Sequence, residues 1–235
     1  MHEFRYISNA CRIMKTNMKF LKQKANQFYE ELRVFLDMPV QCMNDIAKVF
    51  EIRCKPENIK NLSEAFKTQM MFHYVHEILY PTSNSALINV LIGDLPGFCR
   101  DLRFLLEALA KSYLTDIKHG KKHIREKMQL LNKEKKEHEW IKELDQEIGE
   151  KRAMRLWGKL SEDIHFNKYV KRIEKSIDVL GIPPSWALLI PCEFWEGDVD
   201  EILSDVWSYH GYLCEFIEIL NLIWKKYLNI LKNVF

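Results

Sequence analysis

Apolar residues recur along this chain at helical spacing, and nowhere do they alternate as a half-buried strand requires. From Asn17 to Asp37, the residues Phe20, Leu21, Phe28, Leu32, Phe35 and Leu36 fall mostly on one helical face, and Pro39 follows as a stop. Residues 1–16 carry no clear period and read as a loose lead-in. Val40–Glu51 predicts a short second helix. Pro56, well suited to a first helical turn, opens a third that runs to Tyr80 and ends at Pro81. Ser83 or Asn84 can cap a fourth segment, interrupted by Gly93 and Pro96, with Asp94 placed to cap the restart. Phe98, Leu102, Leu105, Leu106, Leu109 and Tyr113 then line a strongly amphipathic helix ending near Gly120.

The next stretch changes character. Lys121–Lys151 holds 17 charged residues in 31, with opposite charges at i,i+4 in Lys133–Glu137 and Lys135–Glu139. That pattern predicts a solvent-laced helical arm over 121–151. Helical spacing returns over Arg152–Asp163 and Tyr169–Leu180, followed by an irregular crossover at Gly181, Pro183, Pro184 and Pro191. The last helix, Val199–Lys232, is apolar nearly all round after Tyr212, as expected of a helix central to a bundle or shared with a second subunit. The reading is all-α: a single domain over 1–235, built as a helical bundle with a long charged helical hairpin and forming a homodimer through its last helix.

Composition supports that reading. A chain of 235 residues with 47% hydrophobic content can bury a core without a disulfide or metal staple, and eight Gly and seven Pro are too few for a loop-rich β fold. The net charge of +2 gives no bulk argument for nucleic acid, but the charges are segregated. Lys118, Lys121, Lys122, Arg125 and Lys127 stand within ten residues opposed only by Glu126, whereas Glu193–Asp205 carries six carboxylates and no Lys or Arg. The six cysteines show no Cys-x-x-Cys spacing. Cys99 and Cys214 sit in apolar helical patterns as small hydrophobes. With no secretory leader legible and no apolar run of membrane-spanning length, the expected place is the cytoplasm and the expected partners exclude a membrane.

No phosphate-binding Gly-rich loop or serine-hydrolase elbow is present. His73 and Glu77 share a helix face, but the order is wrong for His-Glu-x-x-His and further ligands are lacking. Glu162 and His165 form a lone Glu-x-x-His, without the second copy that di-iron bundles require. No metal and no cofactor are expected.

Two phrases remain. Arg103-x-x-x-Glu107 lies in the amphipathic helix, and Trp157-x-x-Leu160-Ser161-x-x-x-His165 lies in a later one. Together, over about 65 residues, they resemble the HEPN-like helical proteins of prokaryotic defence and toxin systems. The resemblance implies a protein acting on RNA, a metal-independent ribonuclease in its nuclease members, with a cognate protein partner. It assigns proton transfer to His165, charge at the phosphate to Lys159 or Arg103, and orientation of Arg103 to Glu107. Lys159 stands where nuclease members carry Arg, and a lysine lacks the planar two-donor grip on phosphate. Lys118, Lys121, Lys122 and Arg125 are the candidate RNA-contacting cations. The rival expectation is a non-catalytic helical interaction protein that dimerises through its last helix and binds a partner through the charged hairpin.

Overall fold

A computed structural model describes residues 3–51, 56–131, 136–164, 193–194 and 199–234. Among these, secondary structure is helical and no strand occurs. The all-α reading stands.

Helix α1 (Glu3–Lys24) begins where the loose lead-in was expected. Its buried residues include Ile13, Asn17, Phe20 and Leu21, and Ile7 is 63% exposed. Helix α2 (Asn26–Val49) follows after a break at Ala25 and runs straight through Pro39, which is buried inside it. An interior proline forfeits one backbone hydrogen bond. Burial of Met38, Pro39 and Cys42 within the core overrides that local penalty, so the expected stop and separate second helix are replaced by one long helix.

Helix α3 (Pro56–Thr68) ends at Gln69, whose extended backbone (φ −105°, ψ 115°) divides the expected Pro56–Tyr80 helix. A fresh helix, α4 (Met70–His73), passes through a π segment, Tyr74–Leu79, into α5 (Tyr80–Leu91). Pro81 does not stop it. The wider π turn, in which the Tyr80 N–H reaches back five residues to the Val75 carbonyl, lets the run continue across a proline that has no N–H to give. Ser83 and Asn84 are not caps: both side chains donate to the Tyr80 carbonyl, at 3.0 and 2.7 Å.

Helix α6 (Leu95–His119) is the first of two central rods. Its start is as read, with the Asp94 carboxylate accepting the Gly97 N–H at 2.9 Å. A Cβ on Gly97 would lie 2.3 Å from that carboxylate, so the cap requires glycine there. Phe98, Leu102, Leu105, Leu106, Leu109 and Tyr113 are all buried, and Gly120 (φ +47°) closes the end.

The expected charged arm is not an arm. Its described residues form two shorter helices, α7 (Ile124–Leu131) and α8 (Glu137–Ile148). Trp140, Ile141 and Leu144 lay α8 against α6, and Lys127 is fully buried. Three apolar residues at i, i+1 and i+4 suffice to dock a helix whose other faces are charged. Lys111–Glu137 (3.0 Å) and Lys118–Glu143 tie the outer edges of α6 and α8.

Helix α9 (Arg152–Ile164) packs between α6, α8 and the last helix, α10 (Val199–Val234). The expected helix Tyr169–Leu180 and the proline-rich crossover lie outside the described residues. Helix α10 is the second central rod, lying against α2, α6 and α9. Val206, Tyr209, Leu213, Phe216, Leu220, Ile223, Tyr227 and Leu231 all turn into the core. Ile217, Ile219 and Trp224 are buried as well, while Leu222 is 40% exposed. Among the described residues no helix is long and apolar enough to cross a membrane.

Candidate functional site

Two acidic side chains set the helix starts that shape the candidate region. Asp116 on α6 accepts the Met70 and Met71 N–H groups at 2.8 and 2.9 Å, and so begins α4. Asp145 on α8 accepts the Ala153 and Met154 N–H groups at 2.7 and 3.0 Å, and so begins α9. Each supplies from a neighbouring helix what an N-cap residue normally supplies from the chain itself. Ala153, Leu156 and Leu160 hold α9 to the core.

With its inner face fixed, α9 presents two others. Toward α6, the Trp157 indole N–H donates to the Glu107 carboxylate at 2.7 Å, and the same oxygen accepts from Arg103 Nε at 2.9 Å. The Arg103 guanidinium lies 4.8 Å from the centre of the Trp157 ring, within cation–π range. Arg103, Glu107 and Trp157 thus form one half-buried set joining α6 to α9, and the two sequence phrases do meet. Ser161 donates to the Trp157 carbonyl one turn back, at 2.6 Å.

Toward α10 lies a different arrangement. Arg152 reaches Glu215 (2.7 Å) and Glu218, and Arg155 reaches Glu215 at 3.3 Å. The hydrogen bond from Arg152, ahead of other influences, holds the Glu215 carboxyl below the usual carboxylate range. Beside these pairs an open groove of about 330 Å³ runs between α9 and α10, lined by Arg155, Lys159, Trp207, Ser208, Tyr212 and Glu215. Lys159 makes no ion pair among the described residues; its ammonium lies 6.0 Å from the Tyr212 ring centre. Trp207 is 43% exposed at the groove's edge.

The expected constellation is therefore split. Lys159 stands two residues from Trp157, and residues so spaced point away from each other on a helix. Lys159 faces α10 while Arg103 and Glu107 face Trp157. His165 lies outside the described residues. Among the four candidate RNA cations, Lys118 bonds Glu143 and stacks 5.0 Å from the Trp140 ring, an internal tie. Lys121, Lys122 and Arg125 are exposed. His73 bonds the Phe66 carbonyl and His76 pairs with Glu77, both at 2.9 Å, so His73 and Glu77 do not converge.

The groove was missed in the sequence, although its signal was present. Arg152, Arg155 and Lys159 recur at i, i+3 and i+7, and Trp207, Gly211 and Glu215 at i, i+4 and i+8. These are a basic stripe and a stripe joining an aromatic to a carboxylate, each at helical period. Compared with protein-family models, curated proteins and solved structures, the chain matches none.

Proposed function

We propose that this chain is an RNA-directed helical protein of the kind its two phrases resemble, and that single-stranded RNA enters the groove between α9 and α10. One observation carries the reading: Lys159, without a carboxylate partner among the described residues, shares a solvent-open groove with Trp207 and Tyr212. Aromatic faces beside a cation are what unpaired bases and their phosphates require. With a net charge of only +2, attraction must come from such a local site. In the finer form of this reading His165 supplies proton transfer and the protein is a metal-independent ribonuclease.

Fluorescence anisotropy with a short labelled single-stranded RNA tests the binding. The expected result is saturable binding that weakens with salt. Trp207→Ala should lose roughly 5- to 100-fold in affinity, the range for one stacked base. Lys159→Ala should weaken binding and flatten its salt dependence, whereas Lys67→Ala, at an exposed position on α3, should change little. Absence of RNA binding, with self-association through α10 seen by sedimentation, would hand the chain to the interaction-protein reading. That alternative draws on the Arg103–Glu107–Trp157 set, whose hydrogen bonds are already spent on joining two helices.

A further inference from the structure

Beside the groove, with Trp207 touching both, α2 and α10 bring Glu31 to a His–Cys pair that lies far along the sequence. His210 and Cys214 stand at i and i+4 on α10, with His210 Nε2 3.3 Å from Cys214 Sγ. Glu31 comes from α2, and one ligand-capable atom from each of the three lies within 4.8 Å of the others. The register is set by apolar contacts on either side. The Phe28 ring meets His210 edge-on at 6.1 Å, and Phe35 meets Phe216 in the same manner at 5.8 Å. Trp207 also meets the imidazole, with ring centres 5.5 Å apart.

Glu31 is half-buried and has no hydrogen bond or ion pair among the described residues. A carboxylate in a helix seam loses hydration that some partner must replace. Within 4.8 Å of it are an imidazole nitrogen and a thiol, which are metal-ligand types. We propose that Glu31, His210 and Cys214 form a three-ligand site for a Zn²⁺-class cation, with a fourth position open to water or a small anion. Mixed S, N and O donors suit this borderline-soft ion, and three protein ligands plus an open position are the pattern of its exchangeable sites. Bond lengths of about 2.0–2.3 Å place tetrahedral ligand atoms roughly 3.5 Å apart, so closure needs only side-chain adjustments.

The test is a titration of the full chain, stripped with chelator and kept reduced, first with Co²⁺ and then with Zn²⁺. The expected result is stoichiometric Co²⁺ binding that gives tetrahedral ligand-field absorption and a thiolate charge-transfer band, both erased by Zn²⁺. Cys214→Ser should abolish the charge-transfer band. Glu31→Gln and His210→Gln should each weaken affinity by about tenfold or more, with circular dichroism unchanged. The site is overturned if micromolar Co²⁺ does not bind, or if Cys214→Ser and Glu31→Gln both bind it as the parent does. The second outcome would place the metal on other cysteines and leave His210–Cys214 as a simple hydrogen bond.

Discussion

The Lys127 ammonium lies 2.8 Å from the Asp116 carboxylate, with side chains 0% and 3% exposed. Lys127 also donates to the Thr68 carbonyl, and Asp116 holds the Met70 and Met71 N–H groups. The pair thus joins α3, α4, α6 and α7 at one point. Removing one partner of such a pair strands the other without solvent, at a cost of about 3–5 kcal/mol. Asp116→Ala should approach that full loss, because three donors lose their acceptor. Lys127→Met keeps the volume and leaves the carboxylate two backbone donors, so its loss should be smaller. Urea unfolding of both variants decides the order, and the reverse order would refute this account.

Asp145 offers a milder version of the same arrangement. Asp145→Ala should cost about 1–2 kcal/mol, the scale of a lost N-cap, while Asp145→Asn should cost less because one acceptor oxygen remains. The damage should be local. Amide exchange should quicken at Ala153 and Met154 while Leu105 and Leu109 in α6 stay protected. Uniform loss of protection would mean that α9 is not held separately by this cap.

These two acids show where legibility in the sequence ends. The helical class, the Asp94 cap, the Gly120 stop and the extent of α10 were readable because period and local cap chemistry determine them. Pro39 and Pro81 misled because tertiary burial and a π turn override a local penalty that would stop an isolated helix. Lys127 looks like its solvated neighbours in composition, and only its placement opposite Asp116 distinguishes it. Trp157 and Lys159 are a different case. Their two-residue spacing already placed them on opposite faces of α9, so the split between the Arg103 set and the groove followed from helix geometry alone. Glu31, 179 positions before His210, had no local signal at all.

Glu215 makes stability depend on acid. Its folded carboxyl titrates below the ordinary value because Arg152 bonds the ionised form. A depressed folded value means that the unfolded chain binds the proton more readily. The stabilisation is therefore complete above the unfolded value and is lost as pH falls through the folded one. Thermal unfolding followed from about pH 6 down to about pH 3 should show the parent losing more stability than Glu215→Gln. Parallel curves would show that the Arg152–Glu215 bond carries no net stability.

Glu107 is expected to matter for packing before chemistry. Glu107→Gln weakens two hydrogen bonds to one oxygen, and a loss of about 1–2 kcal/mol is expected. Trp157→Phe removes only the indole donor. A double-mutant cycle between the two should give a coupling of at least about 0.5 kcal/mol. Additive effects would contradict the shared bond.

The catalytic form of the functional reading meets its own trial in an RNA cleavage assay. Cleavage should persist in EDTA, because proton transfer is assigned to His165. His165→Ala should slow it roughly 100-fold or more, and Lys159→Arg should preserve or raise the rate through a two-donor phosphate contact. Undiminished cleavage by a folded His165→Ala protein would end the ribonuclease reading.

The placement of α10 has a consequence for how the protein must be made. Phe194 meets Asn17 across 177 positions, and Trp224 meets Asp45 across 179. At synthesis rates of about 5–20 residues per second, α1 and α2 wait roughly ten to forty seconds before the segments that cover them leave the ribosome. Throughout that interval Phe28 and Phe35, both fully buried in the finished bundle, lack their partners on α10. The nascent chain is thus at its most adhesive for most of its synthesis, and a transcript cut short before α10 yields a protein with an open core rather than a smaller bundle.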